Sequence, residues 1–186
     1  LTRTSFSYNT REGACRDCHG LGQLLRIDLP AVLREERSLE EGAVSFWEQK
    51  YKEYQIELFY RCCAYYGRPL SPGTPVSAFG PGQRALLHYG TESGEAGACF
   101  PQISPPKTTA AGRFEGICTT LWRRMGQREG EAGPLRSYFA YETCPSCKGE
   151  RLASLSRSAR VMGTRLPQLA ALSLTELSRW LEQLSD

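Results

Sequence analysis

GACRDCHGLG, residues 13–22, contains two cysteines two residues apart, one histidine and three glycines. This is the composition of half a metal site. Two residues between cysteines let a tight turn aim both sulfurs at one ion, and the turn's amides can hydrogen-bond the thiolates. A four-thiolate site needs a second such pair. It occurs far away, at Cys144 and Cys147 in CPSCKG. In each knuckle a glycine, Gly20 or Gly149, follows the second cysteine by two positions, where a positive φ lets the chain leave the turn. The spacing predicts one zinc held by Cys15, Cys18, Cys144 and Cys147. His19 in place of one sulfur, two unrelated pairs, or a redox CxxC are the alternatives.

The two pairs decide the architecture. If one ion joins Cys18 to Cys144, the 125 residues between them leave and return at a single point. The expectation is an α+β chain with an inserted domain on a zinc-clamped stalk. Its parts would be residues 1–22 (first half of the zinc module), 23–143 (the insertion) and 144–186 (second knuckle and return).

Composition agrees with a folded chain. At 186 residues and 40% apolar content it can bury one good core or two small ones. No apolar run approaches the roughly 18 residues of a membrane span, and no export signal opens it. The chain begins LTRTSFSYN without an initiator methionine, so it reads as a piece of a larger protein. Four further cysteines, at 62, 63, 99 and 118, include an adjacent pair that makes a poor disulfide framework. Reduced thiols in the cytoplasm fit better. Cys62 and Cys63 fall within a predicted helix, where at least one should pack as a small hydrophobe.

Net charge is only +3, but residues 99–128 hold five bases against one acid, whereas 32–58 hold seven acids against four bases. Within the basic stretch, FEGICTTLWRRMGQR (114–128) reads as a helix. Arg113, Arg123, Arg124 and Arg128 cluster around it, with Lys107 just before. Planar guanidinium groups suit phosphate oxygens, and nothing in the pattern suggests base readout. The competing expectation is that these arginines pair internally with the acidic 32–58 region.

Elsewhere, SFSYN (5–9) and RALLHYG (84–90) read as strands. QLLRIDLPAVL (23–33) reads as a strand turning at Pro30, and residues 45–67 as a helix. In that helix Trp47, Tyr51, Tyr54, Leu58, Cys62 and Tyr65 recur at three- and four-residue steps, the pattern of a buried face or, alternatively, an aromatic platform for bases. GEAGP (130–134) reads as a linker and RSARVMGTRLPQL (157–169) as a strand and turn. SLTELSRWLEQL (173–184) reads as an amphipathic helix with Ser173 and Glu176 as its capping box. His88 has no ligand partner nearby in sequence and reads as a structural or surface histidine. No phosphate-binding GK dipeptide, signature motif or catalytic constellation is present, so the segment is not expected to be an enzyme by itself.

SFSYNTREGACRDCHGLGQ (5–23), LLHYGTESGE (86–95), RFEGICTTLWRRM (113–125), LRSYFAYETCPSCKGERL (135–152) and SLTELSRWLEQL (173–184) follow one another in an order that resembles the UvrA family. These are the damage-recognition ATPases of bacterial nucleotide excision repair. The resemblance implies the insertion domain of the first ATPase half, flanked by pieces of an ABC-type signature domain, with a zinc shared by the two knuckles. It also implies a homodimeric parent that engages damaged double-stranded DNA without sequence preference. The segments for ATP and for UvrB would lie outside this stretch. The glycine-rich GQREGEAGP (126–134), where typical members carry a charged helix, would suit a divergent paralogue, a group that includes proteins of drug self-resistance. Two other readings remain: a structural spacer, and a zinc chaperone of the DnaJ type, whose CxxCxGxG repeat CRDCHGLG also satisfies.

Overall fold

A computed structural model of the chain describes residues 2–127 and 133–184. In order, its elements are β1 (Gln23–Ile27), α1 (Leu29–Val32), α2 (Gln49–Tyr65), α3 (Pro81–Tyr89), α4 (Gly94–Cys99) and α5 (Ile117–Gln127), then β2 (Phe139–Thr143), α6 (Ser154–Ser158), β3 (Arg160–Val161), β4 (Thr164–Arg165), α7 (Leu166–Ala170) and α8 (Leu174–Glu182). The helices are joined by two small sheets, β1 with β2 and β3 with β4, which makes the fold α+β. Two compact units emerge: Leu1–Arg26 with Tyr141–Asp186, and Ile27–Ala140. The chain passes from the first to the second within β1 and returns within β2.

The Ile27–Ala140 unit is built on α2. This helix ends where Gly67 turns left-handed, at φ 67°, with Arg68 N–H on the Cys63 carbonyl and Gly67 N–H on that of Ala64. That double bond satisfies carbonyls that a helix end would otherwise orphan. Phe59 is fully buried between the rings of Phe79 and Phe114, at 5.9 and 5.2 Å. Cutting it to alanine would cost roughly 3–5 kcal/mol. Cys62 and Cys63 lie beside it, both fully buried, and burial pushes the Cys62 thiol up to about 12. The buried face of α2 is thus Ile56, Leu58, Phe59, Cys62 and Cys63, whereas Tyr51, Tyr54 and Tyr65 stay exposed. The aromatic stripe expected to be core is only partly so.

RALLHYG is helical, not a strand. Pro81 starts α3 with its φ pre-set, the Gln83 side chain accepts the Gly80 N–H at 2.8 Å, and Gly90 ends it at φ 84°. Leu86 and Leu87 on this helix are both fully buried. The glycine-rich 91–99 segment also hides a short helix, α4, whose first turn is capped by the Ser93 hydroxyl at 3.1 Å from Ala96 N.

In the other unit SFSYN is not a strand either. Arg3–Phe6 is a 3₁₀ turn, because the hydroxyls of Thr2, Thr4 and Ser5 all donate to the Glu12 carboxylate. Such local bonds offer the backbone an alternative to a ladder. They hold the Glu12 carboxyl below the usual range, Ser5 contributing most. The strand and turn expected after the second knuckle are present as a tight hairpin. Arg160 faces Arg165 and Val161 faces Thr164 across Met162-Gly163, both at positive φ as a two-residue turn requires. The capping box of α8 forms, with Glu176 N–H on the Ser173 hydroxyl and Ser173 N–H on the Glu176 carboxylate. No residue of α8 is buried, and Leu174 is 87% exposed. Among the described residues no helix is long and apolar enough to cross a membrane.

Candidate metal centre and nucleic-acid interface

The two knuckles are built alike. Leu21 N–H bonds the Cys18 carbonyl and Glu150 N–H the Cys147 carbonyl, each at 2.9 Å. His19 and Lys148 take φ 50° and 51°, and Gly20 and Gly149 follow at 82° and 86°. Backbone bonds join the pair: Cys15 N–H to the Arg151 carbonyl at 2.8 Å, Ala153 N–H to that of Gly13 at 2.8 Å, and Cys144 N–H to that of Gly22 at 3.0 Å. At the position matching Gly22 the second knuckle has Arg151, also left-handed at φ 68°. A side chain there is strained. Its guanidinium offsets this by donating to the Gly20 carbonyl at 2.6 Å and lying 3.7 Å from the centre of the Tyr8 ring.

The result brings Cys15, Cys18, Cys144 and Cys147 together, all buried, with their sulfurs within 4.8 Å of one another. None is in a disulfide. Cys15 Sγ lies 4.0 Å from Cys144 Sγ and Cys18 Sγ 3.6 Å from Cys147 Sγ. A tetrahedron with sulfurs about 2.3 Å from a central zinc has edges of about 3.8 Å. The donor set therefore fits. Gly22 N–H points at Cys18 Sγ at 3.2 Å. The backbone N–H of Cys147 leads in holding the Cys144 thiol down to about 7, whereas burial pushes Cys147 up to about 12. Four thiolates gathered in one buried cluster would repel one another, and a dication would offset that repulsion. His19 is exposed and outside the cluster.

The second feature lies wholly within the Ile27–Ala140 unit. A groove of about 870 Å³ runs beside α2 and the start of α5. Arg113, Arg123 and Arg124 all line it; exposed Lys107 does not, and Arg128 lies outside the described residues. Arg123 is held by Glu115, Nε to Oε1 at 2.5 Å, and Arg113 by Glu92 at 3.0 Å. Neither partner belongs to the acidic 32–58 region expected to hold them. Arg124 makes no ion pair among the described residues and stands 6.0 Å from the Phe46 ring centre. Trp47, Tyr51 and Tyr54 also line it, and Tyr89 contributes from the end of α3. Sequence periodicity could not assign these rings to the surface, because Ile56, Phe59 and Cys63 offer the same helix a competing apolar stripe. A smaller cleft of about 570 Å³ is lined by Leu29, Pro30, Leu33 and His88 among others.

Comparison with known proteins gives a consistent picture. The sequence model of the family described as UvrA DNA-binding domain matches residues 28–133. The UvrABC system protein A of Halalkalibacterium halodurans is 30% identical over 184 residues, a match covering 96% of this chain and 19% of that protein. That of Streptomyces avermitilis is 31% identical over 197 residues, covering 99% of this chain and 18% of its own length. The chain thus spans about a fifth of the curated relatives it matches. The crystal structure of UvrA2 from Deinococcus radiodurans superposes with a TM-score of 0.63 at 22% identity, covering 96% of this chain and 23% of that one. This last likeness speaks for the fold alone. Neither the chaperone nor the spacer reading gains support from these matches.

Proposed function

Since the chain belongs to the UvrA family, we propose that it is the zinc-containing accessory domain of a DNA-damage-recognition ATPase, engaging and positioning duplex DNA in nucleotide excision repair. The observation that carries this is the position of the groove. The residues matched by the DNA-binding family, 28–133, include all three arginines that line it. Guanidinium groups at its rim would take backbone phosphates, which gives binding without sequence preference. Cys15, Cys18, Cys144 and Cys147 would hold one zinc that fixes the root from which residues 23–143 are carried. The flanks, 1–22 and 144–186, would be pieces of an ABC-type signature domain. ATP binding, dimerisation and any contact with UvrB would belong to the rest of the cytoplasmic parent protein.

The test is binding of the 186-residue chain to a short duplex across a salt series. Three phosphate contacts predict a slope of log affinity on log salt of about −2.7. Arg124→Ala, which breaks no ion pair, should weaken binding and leave the melting temperature unchanged. Salt-independent binding, or unchanged affinity in that variant, overturns the DNA reading of this face.

A further inference from the structure

The arginines account for only part of the groove's lining. Among the rest, Tyr51, Tyr54, Gln55 and Leu58 follow the three- and four-residue steps of a single face of α2, with Trp47 just before the helix. Leu58 is buried, but Tyr51 and Tyr54 are 53% and 51% exposed. Two half-bare rings one helical turn apart thus line the same groove as three guanidinium groups.

We propose that this groove binds unpaired nucleotides, their bases stacked on Tyr51 and Tyr54 and their phosphates on Arg113, Arg123 and Arg124. This rests on the DNA reading above and deepens it. In an intact duplex each base face is covered by its neighbour, so exposed rings can stack only on bases that have left the helix or lie in a single strand. Every base has a π-face, so the platform suits binding without sequence preference. The groove's acids do not exclude an anion. The Glu115–Arg123 and Glu92–Arg113 pairs are solvent-exposed, and such pairs contribute little, so a phosphate can share or replace the carboxylate. Tyr89 at 38% exposure and half-buried Trp47 add further rings to the lining.

The experiment titrates the 186-residue chain with three labelled probes: a ten-residue oligothymidylate, a strand of equal length with abasic sites, and a duplex. A ten-residue oligoglutamate serves as the acidic peptide control. The wild type should bind the oligothymidylate about tenfold more tightly than the abasic strand, from stacking alone. Tyr51→Ala with Tyr54→Ala should bring the two affinities together and leave duplex binding unchanged, with an unaltered melting curve showing that the fold persists. Glu115→Gln should tighten binding of every nucleic-acid probe. Equal binding of thymidylate and abasic strands by the wild type, or an unaffected double tyrosine variant, overturns the proposal. So does oligoglutamate bound as tightly as the thymidylate, which would assign the groove to an acidic peptide. If the duplex binds while the single strand does not, this proposal fails and the DNA reading stands; if no nucleic acid binds, both fail.

Discussion

Gly90 and Gly116 meet backbone to backbone: a Cβ placed on Gly116 would stand 2.4 Å from the Gly90 nitrogen. Both are left-handed, at φ 84° and 82°, and Thr91 N–H bonds the Phe114 carbonyl at 2.9 Å beside them. This contact draws the end of α3 against the start of α5, and so places Tyr89 and Glu92 along the groove. Gly116→Ala combines a disfavoured φ with a backbone clash that no rotamer relieves. It should lower stability by at least about 2 kcal/mol in a denaturant melt. A loss below 0.5 kcal/mol, on the order of a neutral surface change, would contradict the packing.

For the metal, elemental analysis should find one zinc per chain. Cys18→Ser or Cys147→Ser should abolish it, whereas Cys99→Ser and Cys62→Ala should keep it. A structural zinc contributes on the order of 10 kcal/mol, so chelation should unfold the knuckles. Zinc retained in the Cys144→Ser, Cys147→Ser double variant would refute the four-thiolate assignment.

Arg151 gives a sharper test of the knuckle itself. Arg151→Gly removes both the left-handed strain and the guanidinium contacts to Gly20 and Tyr8; Arg151→Ala removes only the contacts. The alanine variant should therefore be the less stable by about 1 kcal/mol. Equal melting of the two would mean that the backbone there is not strained.

Acid should act through His88. Burial first, and the Arg84 charge second, hold its imidazole below the ordinary 6.5. The folded protein then binds that proton less tightly than the unfolded chain. The stability at stake is full above pH 6.5 and lost as pH falls toward the lowered value. Its Nε2 is buried without a partner among the described residues, so His88→Leu removes a polar group that gains nothing from the fold. Denaturant melts at pH 7 and 5 should show a smaller acid loss in the variant than in the wild type. A parallel fall in both would place the acid sensitivity elsewhere.

Glu115 titrates in the same sense at lower pH. Its hydrogen bond from Arg123 is the largest cause holding its carboxyl below the ordinary 4.5, so the pair's contribution is present above 4.5 and lost as pH falls through the lowered value. Both side chains are more than a third exposed, which limits the effect to under about 1 kcal/mol. Glu115→Gln should remove that acid-dependent part; an unchanged difference between melts at pH 6 and pH 3 would deny the pair any role in stability.

The knuckles were legible in the sequence because cysteine spacing reflects local turn geometry, and local geometry survives translation into three dimensions. The same holds for α8, whose capping box is a three-residue relation. RALLHYG reads as a strand because its helical signals, Pro81 and Gly90, sit in a glycine- and proline-rich context that resembles a loop. SFSYN alternates like a strand, but its backbone is set by Glu12, several residues on. The groove was beyond reach for another reason. Whether Tyr51 faces solvent or core depends on which stripe of α2 meets Phe79 and Phe114, and that choice is made by segments distant in sequence.

The bond from Cys144 N–H to the Gly22 carbonyl closes a loop of 121 residues. The entropy of closing a chain grows only as the logarithm of its length, so doubling such a loop adds about 0.6 kcal/mol. A root closed in this way is nearly indifferent to how much chain it carries, provided the two ends arrive side by side. Change in the size of the carried segment is then almost neutral for the root, and selection on it acts through what its own surface binds.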